Sequence, residues 1–130
     1  MFKQVDYVMV VVSDMTRSVR FYRDTLGLPL KFESKDWTEF QTGTTTLALH
    51  GGGTPPPPSR GADPERAKSG TSSIGFTVEN LQEVFEELRS RGANFVLLPS
   101  ERKDEGIRLA VCLDPDGLPV SFAEALQKAE

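Results

Sequence analysis

Residues 5–28 read VDYVMVVVSDMTRSVRFYRDTLGL, and a change of rhythm inside this stretch decides the fold. Residues 4–12 are rich in apolar β-branched side chains, Val5, Val8, Val10, Val11 and Val12 among them, which predicts a mostly buried strand. Ser13-Asp14 then offers an N-cap, and Met15, Val19, Tyr22 and Leu26 recur at steps of four, three and four. That spacing marks one face of an amphipathic helix over 15–26, and Gly27 follows as its stop.

Beyond this stretch, three short strands are expected at 28–34, 37–42 and 44–50, with Lys35-Asp36 and Gly43 at the turns. Residues 51–70 hold Gly51-Gly52-Gly53, four consecutive prolines from Pro55 to Pro58 and several charges, the composition of a linker or mobile loop. A strand at 71–78 follows, and then a second helix. Asn80 caps it, Glu83 holds the capping-box position, Leu81, Val84, Phe85 and Leu88 form its stripe, and Gly92 ends it. Strands near 94–98, 107–113 and 118–124 complete the chain, the last two joined by Asp114-Pro115-Asp116-Gly117.

Sliding the chain by 66 positions lays Val12-Ser13-Asp14-Met15 on Val78-Glu79-Asn80-Leu81, and Gly27 falls within one position of Gly92. The chain thus repeats one β-α-β-β-β unit, in modules 1–50 and 71–130 joined by the loop 51–70. A single small sheet leaves a face uncovered, so an α+β fold of two paired, curved mixed sheets around a cleft is expected, forming one domain over 1–130.

Composition excludes several function classes. A net charge of -4 without a Lys/Arg stripe lacks the footprint of a nucleic-acid binder. The chain opens on a strand-like run and no apolar stretch approaches the ~20 residues that cross a bilayer, so a cytoplasmic address without membrane contact is expected. The lone Cys112, between Val111 and Leu113, reads as a buried strand thiol rather than a nucleophile.

The run from Val5 to Asp14, the FYRDTLGL segment at 21–28 and Asp114-Pro115-Asp116-Gly117 before the last strand together resemble the vicinal oxygen chelate superfamily, which includes glyoxalase I, extradiol dioxygenases and bleomycin-resistance proteins. The resemblance spans nearly the whole chain. It implies four metal-ligand positions, which fall here on Tyr7, Ala48, Ser73 and Ser121. None is a usual ligand, since a phenol gives up its proton reluctantly and the others offer a methyl or neutral hydroxyls. His50 is also the only histidine, so neither a two-histidine iron triad nor a three-histidine zinc site can be assembled from one chain. No metal and no cofactor are therefore expected, although a carboxylate-only magnesium site stays open.

Strand alternation sorts the faces. Tyr7, Met9 and Val11 should share the cleft side with Thr46, Ala48 and His50, and in the second half with Ser73, Gly75, Thr77, Pro119, Ser121 and Ala123. Their neighbours in sequence, including Leu47, Leu49, Phe76, Val120 and Phe122, are apolar and form the helix-packed face. Trp37 and Phe40 could stack on a flat ligand, with core packing the equal alternative for Phe40. The expected ligand-binding cleft is Tyr7, Met9, Trp37, Phe40, Ala48, His50, Ser73, Gly75 and Ser121, with no catalytic residue assigned. Glu33, Glu39 and Glu124 read as solvated surface, and Arg60, Arg66 and Lys68 as solubilising charge.

Together these readings point to a metal-independent protein that binds a small hydrophobic or aromatic molecule, of the bleomycin-resistance kind, and performs no chemistry. The resembling binding proteins pair two chains, so a homodimer is expected. The alternative is a glyoxalase-like lyase or isomerase, or a dioxygenase relative, using an atypical metal site or His50 as base.

Overall fold

Each half of the sequence closes a four-stranded sheet of the same order around its own helix. A computed structural model describes residues 1–56 and 69–127; Arg60, Arg66 and Lys68, with the middle of the expected loop, lie outside the described residues. The chain divides into two compact units, Met1–Pro56 and Pro57–Glu130. Unit 1 contains β1 (Tyr7–Val11), α1 (Met15–Arg20), β2 (Leu30–Glu33), β3 (Trp37–Thr42) and β4 (Thr45–His50). Unit 2 contains β5 (Ile74–Thr77), α2 (Leu81–Ser90), β6 (Asn94–Arg102), β7 (Ile107–Leu113) and β8 (Pro119–Ala125). The sheet orders are β1-β4-β3-β2 and β5-β8-β7-β6, each with one parallel pair, β1 with β4 and β5 with β8, and otherwise antiparallel. The internal repeat read from the sequence is therefore present as two β-α-β-β-β modules of an α+β fold.

The two helices start alike. Asp14 accepts the Arg17 N–H and Asn80 accepts the Glu83 N–H, each at 3.1 Å, satisfying a donor that the first turn leaves orphaned. They end differently. At α2, Gly92 takes a positive φ of 91° and Ala93 N–H returns to the Leu88 carbonyl at 3.0 Å, closing the last turn. At α1, the regular helix stops at Arg20 and continues as a π-helical turn, Phe21–Thr25, in which Leu26 N–H reaches back to the Phe21 carbonyl at 2.9 Å. Phe21 and Tyr22, at the start of this wider turn, are both buried.

Core packing follows the strand alternation. In unit 1, Val12, Val19, Tyr22, Phe40, Leu47 and Leu49 are buried, with the Tyr22 and Phe40 rings 6.1 Å apart. In unit 2, Phe85, Phe95, Phe122 and Phe76 form a chain of ring contacts from helix to sheet, with centroid spacings of 4.8, 6.2 and 5.8 Å. Each such pair adds about 0.5–1.5 kcal/mol to simple burial.

Three expectations need correction. The first strand is not mostly buried: Tyr7, Val8, Met9 and Val11 are exposed, because β1 is the edge of its sheet and has only β4 beside it. Strand β5 begins at Ile74 rather than at 71, which leaves Ser73 just outside the ladder. Strand β6 runs on to Arg102 through Pro99, which an edge strand tolerates because a register shift between Leu97 and Ser100 absorbs the missing donor.

Candidate functional site

Strand β3 pairs with β4 so that Trp37 lies opposite His50, Glu39 opposite Ala48 and Gln41 opposite Thr46. Strand β1 continues that face with Tyr7 beside Thr46, Met9 beside Ala48 and Val11 beside His50. The intervening residues Thr38, Phe40, Leu47 and Leu49 are buried against the helix side. Phe40 therefore leaves the candidate set: its parity turns it away from Trp37, and its ring packs on Tyr22 with no exposed surface. Tyr7, Met9, Trp37 and His50 share the open face of unit 1; Ala48 has the same parity but no exposed surface.

Trp37 is the best-anchored member of that face. Its backbone is locked in the β2–β3 hairpin, where Ser34 Oγ donates to the Trp37 carbonyl at 2.7 Å and accepts the Trp37 N–H at 3.1 Å. Its indole Nε1–H donates to Glu39 Oε2 at 2.8 Å, and the other carboxylate oxygen lies 3.6 Å from the Lys31 ammonium. The His50 ring meets the indole edge-on at 6.0 Å between centroids. An indole held at its nitrogen and flanked by a second ring presents a fixed apolar face, the kind of surface on which a planar molecule stacks.

An open depression of about 350 Å³ lies here, lined by Asp6, Tyr7, Trp37, Glu39 and Thr46. Asp6 is tied to the sheet at its base: its carbonyl accepts the Thr46 N–H at 2.8 Å, and Gln4 Nε2 donates both to Asp6 Oδ1 at 3.0 Å and to the Thr44 carbonyl at 3.1 Å. Glu39, read as solvated surface from the sequence, and Asp6, not singled out there, are the acidic lining residues. The signal for Glu39 was its place two residues after Trp37 on one strand, which puts both on one face.

Unit 2 arranges its candidates separately. Gly75 lies opposite Ser121, whose Oγ donates to the Ile74 carbonyl at 3.4 Å. A Cβ at Gly75 would come within 3.1 Å of that oxygen, so the glycine leaves room for the Ser121 side chain. Ser73 is exposed one residue before β5. The open face here is less small and hydroxylated than expected, because β7 adds Leu109, Val111 and Leu113 opposite Ala123, Ser121 and Pro119.

The residues at the four family ligand positions do not fit a divalent metal. In unit 1, Ala48 is a fully buried methyl and Tyr7 an exposed phenol; in unit 2, Ser121 spends its hydroxyl on a backbone carbonyl and Ser73 offers only a neutral one. Among the described residues no group of three or more His, Cys, Asp and Glu side chains is placed to hold an ion. The remaining reactive types have structural posts. Glu124 accepts the Leu81 N–H at 2.6 Å and pairs with Arg108 at 3.2 Å, while Glu33 is exposed on the edge strand β2. Burial, reinforced by the nearby Asp114 charge, pushes the Cys112 thiol up to about 12, which keeps it protonated and unreactive. No helix among the described residues is long and apolar enough to cross a membrane.

Comparison with known proteins agrees with this architecture. A probable lactoylglutathione lyase of Synechocystis sp. is 27% identical over 95% of this chain and 97% of its own. The crystal structure of SMU.1112c superposes with a TM-score of 0.79 at 26% identity, covering 95% of this chain and all of that one. TnmS3, an antibiotic binding protein from Streptomyces sp. CB03234, shares the fold with a TM-score of 0.73 at 19% identity, over 95% and 97% of the two chains. Residues 4–122 match the Glyoxalase/Bleomycin resistance protein/Dioxygenase superfamily, and the chain belongs to it.

Proposed function

We propose that this protein binds a small flat aromatic or hydrophobic molecule and sequesters it without chemical change. The observation that carries this reading is the Trp37 indole, fixed through Nε1 by Glu39, flanked edge-on by His50 and facing an open depression. The donor set at the family ligand positions supports it, being poor in imidazole and carboxylate. The fold shared with an antibiotic binding protein is consistent with it. A cytoplasmic location and a homodimer belong to the same proposal.

The sequence holds one tryptophan, so selectively excited tryptophan fluorescence reports on this face. Titration with a panel of planar multi-ring compounds should quench the signal saturably, with the compound recovered unaltered. No quenching by any member of a broad panel overturns the proposal. A second reading, turnover as a lactoylglutathione lyase, is favoured by the similarity to the Synechocystis protein. It predicts stoichiometric metal after purification and activity abolished by chelator.

A further inference from the structure

The depression in unit 1 carries a charge preference as well as an apolar wall. Among the described residues that line it, two are acids, Asp6 and Glu39, two are aromatic, Tyr7 and Trp37, and none is basic. Lys31 approaches Glu39 from outside the lining group, at 3.6 Å, against two carboxylates. Asp6 Oδ1 is met by a neutral amide donor, that of Gln4, which leaves its charge in place. Aromatic faces carry negative quadrupole potential, so the rings and the acids favour the same sign of ligand.

We infer that this depression takes an organic cation, a protonated amine or related group carried on a flat ring system, with the ring against Trp37 and the charge toward Asp6 and Glu39. The inference rests on the proposed binding role of this face and narrows it to one ligand class. An anionic ring of the same size meets two carboxylates instead of a counter-ion, and its exclusion is the discriminating consequence.

The test uses the full chain and two probes of equal ring number: 9-aminoacridine, a cation at neutral pH, and anthracene-9-carboxylate, an anion. Trp37 quenching should show the cation bound at least roughly tenfold more tightly, with affinity falling as salt is raised. Asp6→Asn keeps the oxygen that accepts from Gln4, and Glu39→Gln keeps an acceptor for the indole. Each should weaken the cation by roughly three- to tenfold without altering circular dichroism, and each should improve the anion. Equal binding of the two probes, or an unchanged cation affinity in a folded Asp6→Asn variant, overturns the inference while leaving the binding role standing. Absence of quenching by both probes and by the wider panel removes the binding role itself.

Discussion

The carboxylate of Glu124, at the end of β8, accepts the backbone N–H of Leu81, the first residue of α2, at 2.6 Å. Its second oxygen takes Arg108 at 3.2 Å, and Arg108 also reaches Glu101 at 3.3 Å. Glu124 thus ties the helix N-terminus to β8 and β7, and Arg108 extends the network to β6; the positive end of the helix favours an anion there. Glu124 reads as solvated surface from the sequence, and this bond gives it a structural task instead.

Removing that tie has a calculable effect. Glu124→Ala should lower the unfolding free energy by about 1–3 kcal/mol, and Glu124→Gln by less, because the amide oxygen still accepts from Leu81. Urea denaturation measures both. Ligand affinity read from Trp37 quenching should be the same in each folded variant, whereas a ligand-contacting Glu124 would weaken it.

The β7–β8 turn rests on Asp114 in a similar way. Its Oδ1 accepts the N–H groups of Asp116 at 2.9 Å and Leu118 at 2.8 Å, in a buried position. Asp114→Ala strands both donors and should cost about 3–4 kcal/mol, taking each net bond to a charged group as about 1.5–2. Gly117 holds φ at 85°, so Gly117→Ala should cost about 1–2 kcal/mol through backbone strain alone. Thermal melts of the two variants should rank in that order.

Cys112 supplies a pH dependence. The unfolded chain gives up this proton near 9.0, and the native chain holds it to about 12. Between those values the native state binds more protons, so stability is retained below pH 9 and declines as pH rises toward 12, by at most roughly 1.4 kcal/mol per unit. The stability difference between the wild type and Cys112→Ala should shrink over this window and be constant below it. A thiol reagent should modify Cys112 only on the unfolding timescale.

The fold was legible because its signals are local and repeated. Asp14 and Asn80 cap their helices with matching bonds 66 positions apart, and the apolar alternation of Leu47 and Leu49 marks the buried face without any long-range information. The π turn at Phe21–Thr25 escaped, since the steps of Met15, Val19, Tyr22 and Leu26 are equally those of a regular helix. Exposure of β1 escaped too, because a valine-rich run does not announce that it forms a sheet edge. At the site, parity placed Tyr7, Met9, Ala48 and His50 on one face but could not assign Phe40, whose fate depends on where β3 begins. Glu39 was passed over because a carboxylate on a strand is ordinarily solvated, and only the register with Trp37 and Lys31 reveals its post.

The central claim is that a planar molecule docks on the indole of Trp37, and the single indole N–H resonance of the uniformly labelled protein tests it most directly. Titration with 9-aminoacridine should move that one peak, saturating at one ligand per chain, together with backbone signals of Tyr7, Glu39 and Thr46. An indole peak that stays in place while the ligand binds elsewhere, or while it does not bind at all, would contradict the account.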